Sequence, residues 1–207
     1  MKPRLLETIC CQNGRLKGLV FHQARVRRSA HALGWTTLPN LHSITIPQRF
    51  QEGRYKCRVL YREYIETVEF TPYAIRPVHR LTLANADHID YACKYEDRAL
   101  INAAFAERGA ADDVLFVKNG LLTDTSYANI ALWDGSRWLT PRQPMLEGTR
   151  RARLLEQGRI STADIHAASL DQFEKIALFN AMMDLEEGPV IAVHPTNIRQ
   201  SRPFTKK

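Results

Sequence analysis

Five short stretches of this 207-residue chain combine residue types that can do chemistry. The one offering a nucleophile is Tyr91-Ala92-Cys93-Lys94-Tyr95-Glu96-Asp97-Arg98, just before the strongest helical pattern of the chain. A lysine close to a second cation such as Arg98, or partly removed from water, gives up its proton more readily and becomes an amine nucleophile. Spacing alone does not single Lys94 out, because a lysine at a helix start is usually a solvated charge.

The other four stretches supply groups that could surround such an amine. Thr123-Asp124-Thr125-Ser126-Tyr127-Ala128-Asn129-Ile130 places a carboxylate, Asp124, where it could pair with a cation in a cleft or simply serve a turn. Met145-Leu146-Glu147-Gly148-Thr149-Arg150-Arg151 reads as a glycine at a helix start. Free N–H groups and the helix dipole there favour phosphate, and the Thr149 hydroxyl and Arg150 could add donors. The plainer reading is an ordinary helix start with surface arginines. In His22-Gln23-Ala24-Arg25 the arginine could grip a phosphate or carboxylate bidentately, whereas Arg27 and Arg28 read as solvated. In Phe179-Asn180-Ala181-Met182 a buried asparagine must hydrogen-bond, to backbone or to a ligand.

The elements that must position these groups follow from periodicity. Residues 5–11 read as a strand, Asn13-Gly14 as a hairpin turn and Leu16 to Phe21 as the return strand, before a helix over 22–34. A short helix is expected over 46–52. Residues 54–61 and 64–71 form a pair of half-buried strands, with Tyr55, Cys57, Val59 and Tyr61 on one face. Val78 to Leu83 is a further strand. Asp97 to Gly109 carries a helical stripe of Leu100, Ile101, Ala104 and Phe105. Four short strands then form a meander with Asn119-Gly120 and Asp134-Gly135 turns, and a helix runs from Gly148 to Gly158. Ser169-Leu170-Asp171-Gln172 fits a helix-start capping box, and Ile176 to Ala181 and Val190 to Val193 are apolar. The change of pattern near 84–92 divides the chain into a small α/β domain, 1–86, and a larger β-rich domain, 87–207.

Composition sets the outer bounds. A hydrophobic fraction of 44% and a charged fraction of 25% are those of a soluble globular protein. No apolar run reaches membrane-spanning length, and Glu7 interrupts the start too early for a signal peptide, so a cytoplasmic protein is expected. Cys10, Cys11, Cys57 and Cys93 contain no CxxC, and they read as reduced thiols rather than metal ligands. The net charge of +7 admits nucleic acid or anionic small molecules as partners. A basic nucleic-acid-binding protein would use Arg25, Arg27, Arg28, Arg150, Arg151 and Arg153, with the tail Lys206-Lys207. No recognisable nucleic-acid motif accompanies them, so an anion-binding enzyme is the better expectation.

The five stretches, in this order, resemble the fold-type IV pyridoxal-phosphate enzymes: branched-chain and D-amino-acid aminotransferases and aminodeoxychorismate lyase. The resemblance covers most of the chain and is strongest over 91–155 and 176–183. It implies an α+β, two-domain fold with a shortened N-terminal domain, and a homodimer acting on an amino acid or 2-oxo acid. It implies pyridoxal 5'-phosphate joined to Lys94 as a Schiff base, with the phosphate held by Arg25, Gly148, Thr149 and Arg150. Asp124, with Asn129, would face the pyridine nitrogen, and Asn180 and Ala181 would close the site. Where the family has glutamate this chain has Asp124. The resemblance covers both transamination and pyruvate elimination from 4-amino-4-deoxychorismate, with the aminotransferase as the broader class.

Overall fold

A computed structural model describes residues 2–199; Lys206 and Lys207 lie outside them. The first strand, β1 (Leu5–Gln12), turns through Asn13-Gly14, both with positive φ, into β2 (Arg15–Leu16). The return strand expected to reach Phe21 stops at Leu16. Gly18 adopts φ 63, a left-handed conformation that ends the ribbon, and α1 (Leu19–Ala32) starts directly after it. A single 3-10 turn, Gln48–Phe50, replaces the helix expected over 46–52.

The strands β3 (Arg54–Tyr61) and β4 (Ile65–Pro72) complete a four-stranded antiparallel sheet in the order β2-β1-β3-β4. Alternation along β1 sends Leu5, Glu7, Ile9 and Cys11 to one face, where all are fully buried. Leu5, Ile9, Cys57, Val59 and Tyr61 of this sheet pack on Val26 and Ala30 of α1.

A second sheet begins with β5 (Leu81–Asn85), so the sheets change over between Pro72 and Leu81. After α2 (Ala99–Ala106), the strands β6 (Asp113–Lys118), β7 (Leu121–Thr125), β8 (Asn129–Trp133) and β9 (Trp138–Pro141) run as the expected antiparallel meander. Then come α3 (Thr149–Glu156), β10 (Ser161–Ala163), β11 (Lys175–Phe179), β12 (Val190–Ala192) and β13 (Ile198–Arg199). Leu115, Ile130, Leu132 and Leu178 are fully buried in the core of this nine-stranded sheet. The capping-box reading of Ser169 fails: residues Ala167–Gln172 form a 3-10 stretch in which Ser169 itself has non-helical angles. Among the described residues no helix is long and apolar enough to cross a membrane.

Lys94 is not at a helix start. Its segment is extended and stitched to the edge of β1: Leu6 N–H donates to the Lys94 carbonyl at 2.9 Å, and Glu96 N–H donates to the Arg4 carbonyl at 2.9 Å. Leu5 and Tyr95 form the bridge between these bonds. The first sheet therefore holds the backbone at the lysine's carbonyl and at the two residues that follow it.

Candidate active site

A cleft of about 420 Å³ opens between the two sheets. It is lined by eight of the nine residues singled out from the sequence: Arg25, Lys94, Asp124, Asn129, Gly148, Thr149, Asn180 and Ala181. Arg150 is the exception. It lies outside the cleft wall, and its Nη1 donates to Asp184 Oδ2 at 2.7 Å.

The Lys94 side chain is half-buried against the cleft, and among the described residues its amine has no hydrogen-bond or ion-pair partner. Removal from water, followed by the nearby positive charge of Arg25, brings its pKa down to about 7. Arg98 adds to the effect, although it is not one helical turn away, because it precedes α2 in a non-helical conformation. Arg98 instead donates to the Ser126 carbonyl across the cleft. Asp97 is exposed and receives the Ala99 N–H at 2.9 Å.

Arg25 is buried and held by Glu7, a residue outside all five stretches. Its Nε donates to Glu7 Oε1 at 2.8 Å and its Nη2 to Oε2. Burial alone would raise the Glu7 carboxyl, but Arg25 and His22 outweigh it and hold the group down at about 2. His22 is also buried, and burial pushes its pKa down. Its Nδ1 faces the Glu7 carboxylate, so it carries the proton, and its Nε2 faces the Thr149 hydroxyl at 3.3 Å. The chain Arg25–Glu7–His22–Thr149 thus links β1 and α1 to the first residue of α3. The signal in the sequence was a charge at an inward position of an otherwise apolar strand.

Asp124 lies on β7 directly opposite Asn129 on β8. Its Oδ1 accepts from Asn129 Nδ2 at 2.8 Å and its Oδ2 from the Leu146 N–H at 2.8 Å. Burial wins over these donors and raises its pKa to about 6. No cation lies within ion-pair distance among the described residues. Asn129 Nδ2 also donates to the Leu146 carbonyl at 2.9 Å. Its Oδ1 occupies the space a side chain at residue 148 would need: a Cβ on Gly148 would lie 1.8 Å from it. Glycine is required here for close approach. Gly148 is the N-cap of α3 and supplies no side-chain cap, so the first-turn N–H groups on the cleft side have no intrahelical acceptor.

Asn180 closes the turn at the end of β11. Its Oδ1 accepts the Met182 N–H at 2.8 Å and its Nδ2 donates to the Tyr127 carbonyl at 3.3 Å. Tyr127 lines the cleft, whereas Tyr95 does not; Tyr91 takes that place and donates its hydroxyl to the Tyr95 carbonyl at 2.7 Å. Lys56 and Arg58 of β3 and Tyr73 also reach the cleft, and none was marked by a local motif. Their arrival depends on the pairing of β3 with β1. Of the basic residues singled out, Arg25 and Arg151 are buried, and Arg28 and Arg150 are ion-paired.

Residues 4–186 match the family described as amino-transferase class IV, and the chain belongs to that family. An uncharacterized protein of Haemophilus influenzae is 35% identical over 185 residues, which is 87% of this chain and 98% of the relative. The crystal structure of a candidate 4-amino-4-deoxychorismate lyase from Haemophilus somnus is 30% identical. It superposes with a TM-score of 0.78 over 88% of this chain and 97% of its own. A hypothetical aminotransferase from Mycobacterium tuberculosis, in its PLP-bound form, shares the fold at 19% identity. That alignment has a TM-score of 0.70 and covers 92% of this chain and 80% of the other. The fold is thus that of the fold-type IV enzymes, whose class IV aminotransferase members depend on pyridoxal phosphate.

Proposed function

From membership of this family, we propose that the chain is a pyridoxal-phosphate enzyme acting on a small amino substrate, with Lys94 as the lysine that holds the cofactor. The observation that carries the proposal is the Lys94 amine: it is unpartnered, has a pKa of about 7, and shares a cleft with a buried carboxylate and an uncapped helix N-terminus.

The residues present fit that group. Asp124 is a buried carboxylate with two neutral donors and no paired cation, so a protonated ring nitrogen would supply the missing positive charge. The first turn of α3, with the Thr149 hydroxyl and the Arg25 guanidinium nearby, offers donors and charge for a phosphate. Arg150 is not part of this cradle, its side chain being held by Asp184. Asn129 keeps Asp124 in place, and Asn180 and Ala181 shape the opposite wall.

When bound, pyridoxal phosphate supplies an electron sink for the charge that develops beside the substrate nitrogen. Lys94 Nζ, about half neutral near pH 7, takes the proton from the substrate α-carbon and returns it. Asp124 maintains the proton on the ring nitrogen. Glu7 holds the orientation of Arg25, whose charge would help to hold the phosphate. The substrate is an amino acid exchanging its amine with a 2-oxo acid, and the active assembly is a homodimer, as in the family.

A second reading, pyruvate elimination from 4-amino-4-deoxychorismate, is favoured by the name of the 30%-identical crystal structure. The same lysine serves both reactions. Incubation of the loaded protein with amino donors and 2-oxo acids, beside an assay for pyruvate release from 4-amino-4-deoxychorismate, separates them. Amine transfer supports the first reading and pyruvate without transfer the second; neither product contradicts both.

A further inference from the structure

His22 is the buried one of the seven histidines; the other six are exposed. It stands between a carboxylate and a hydroxyl, with Nδ1 at 2.5 Å from Glu7 Oε2 and Nε2 at 3.3 Å from Thr149 Oγ1. Glu7 is ionised at and well below neutral pH, so Nδ1 keeps a proton. The state of Nε2 then decides what Thr149 can do. On a neutral ring Nε2 is an acceptor, and it claims the one proton of the Thr149 hydroxyl. Thr149 lines the cleft, and among the described residues His22 is the only hydrogen-bond partner of its hydroxyl. Turning that proton towards an anion in the cleft would leave two lone pairs facing each other in a buried place, and a buried acceptor without a donor is costly.

A second proton on the ring reverses the bond. Nε2–H then donates to Thr149 Oγ1, and the Thr149 O–H is free for an anion. The charges around the ring set when this happens. Burial holds the His22 pKa down, and Arg25 on α1 and Lys94 on its extended segment push the same way, against the Glu7 carboxylate on β1. A small recess that His22 also lines brings up Lys17 from the turn before α1, with Arg150 and Arg153 from α3. Of these, Arg150 is paired with Asp184. The cations around the ring thus outnumber the carboxylates, and the empty cleft keeps His22 neutral above neutral pH. A dianion beside Thr149 and Arg25 supplies the missing negative charge.

We propose that His22 is a positioning residue that takes up a proton from solvent when a phosphate-like dianion enters the cleft, reversing its hydrogen bond with Thr149 so that the hydroxyl donates to the anion. The step moves one proton from water to Nε2 and changes no other covalent bond. That the anion is the phosphate of pyridoxal phosphate rests on the function proposed above; the coupling between His22 and Thr149 does not.

The test is a pH titration of the full chain by nuclear magnetic resonance with isotope-labelled histidine rings, His22 being assigned through its own backbone. The probe is sulfate, a dianion that takes up no proton itself near neutral pH. Without sulfate the ring should carry one proton, on Nδ1, down to below the ordinary histidine midpoint. With sulfate the midpoint of the second protonation should rise by at least about one pH unit. In Thr149→Val the rise should shrink to less than about half of that, and sulfate should bind at least about fivefold more weakly at pH 6. Thr149→Ser keeps the hydroxyl and should behave as wild type, which separates the hydrogen bond from folding. A His22 midpoint that sulfate does not move, or an equal rise in Thr149→Val, overturns the proposal. Pyridoxal phosphate should raise the midpoint as sulfate does. A rise with sulfate but none with pyridoxal phosphate upholds the coupling and contradicts the cofactor reading.

Discussion

Glu7 and Arg25 form a buried ion pair in which the β1 carboxylate receives two N–H groups from the α1 guanidinium, the Nε contact measuring 2.8 Å. The pair fixes the angle at which Arg25 enters the cleft. Removing one partner leaves the other charge buried and uncompensated, which costs about 3–5 kcal/mol. Glu7→Gln should therefore lower stability by roughly that amount in urea denaturation. The pH dependence has a definite sign. The folded pKa of Glu7 is depressed from 4.5 to about 2. Its contribution is complete above about pH 4.5 and lost as pH falls towards 2, a loss the Gln variant should lack.

Lys94 should react with amine reagents at far lower pH than any surface lysine. Its pKa is lowered to about 7, so deprotonation is nearly complete by pH 8. An ordinary lysine with a pKa near 10.4 is then less than about 1% neutral. Competitive labelling read by mass spectrometry should give a midpoint near 7 for Lys94 in the cofactor-free protein. A midpoint near 10 would mean that the cleft does not depress it.

The close approach of Asn129 to Gly148 predicts a coupled pair of substitutions. In Gly148→Ala the new Cβ would lie 1.8 Å from Asn129 Oδ1, forcing the carboxamide away from Asp124 and Leu146. Overpacking of this kind costs about 1–3 kcal/mol. Because the clash is with one side chain, Asn129→Ala should absorb most of it. A double-mutant cycle on melting temperature should show strong coupling, and simple additivity would refute the contact.

Asp124 sets an acid limit. Burial raises its pKa to about 6, so in the empty cleft it is ionised above that pH and protonated below. Pyridoxal phosphate affinity should fall as pH drops through about 6, and Asp124→Asn should bind more weakly above that pH and lose the step. Fluorescence titration across pH 5–8 measures both, and an unchanged step in the Asn variant would assign it elsewhere.

The sequence made most of the cleft visible because local chemistry marks it. Asn119-Gly120 and Asp134-Gly135 fix the meander, which puts Asp124 opposite Asn129. What local signals could not reach was pairing between distant segments. Glu7 is eighteen residues from Arg25, and its role emerges only when β1 packs on α1. Lys94 looked like a helix-start residue because the apolar stripe of α2 follows it. The backbone of β1 instead captures the segment as an extended edge. Lys56 looked like any outward lysine of a half-buried strand, and its position on the cleft depends on the second sheet facing it.

The most direct measurement of the central claim is the absorption spectrum after incubation with pyridoxal phosphate, followed by borohydride reduction and peptide mapping. The account predicts a visible-to-near-ultraviolet band that differs from free cofactor, a reduced adduct on the peptide containing Lys94, and loss of both in Lys94→Ala. A band and adduct that persist at another lysine in Lys94→Ala, or no band in a folded wild-type protein, would contradict it.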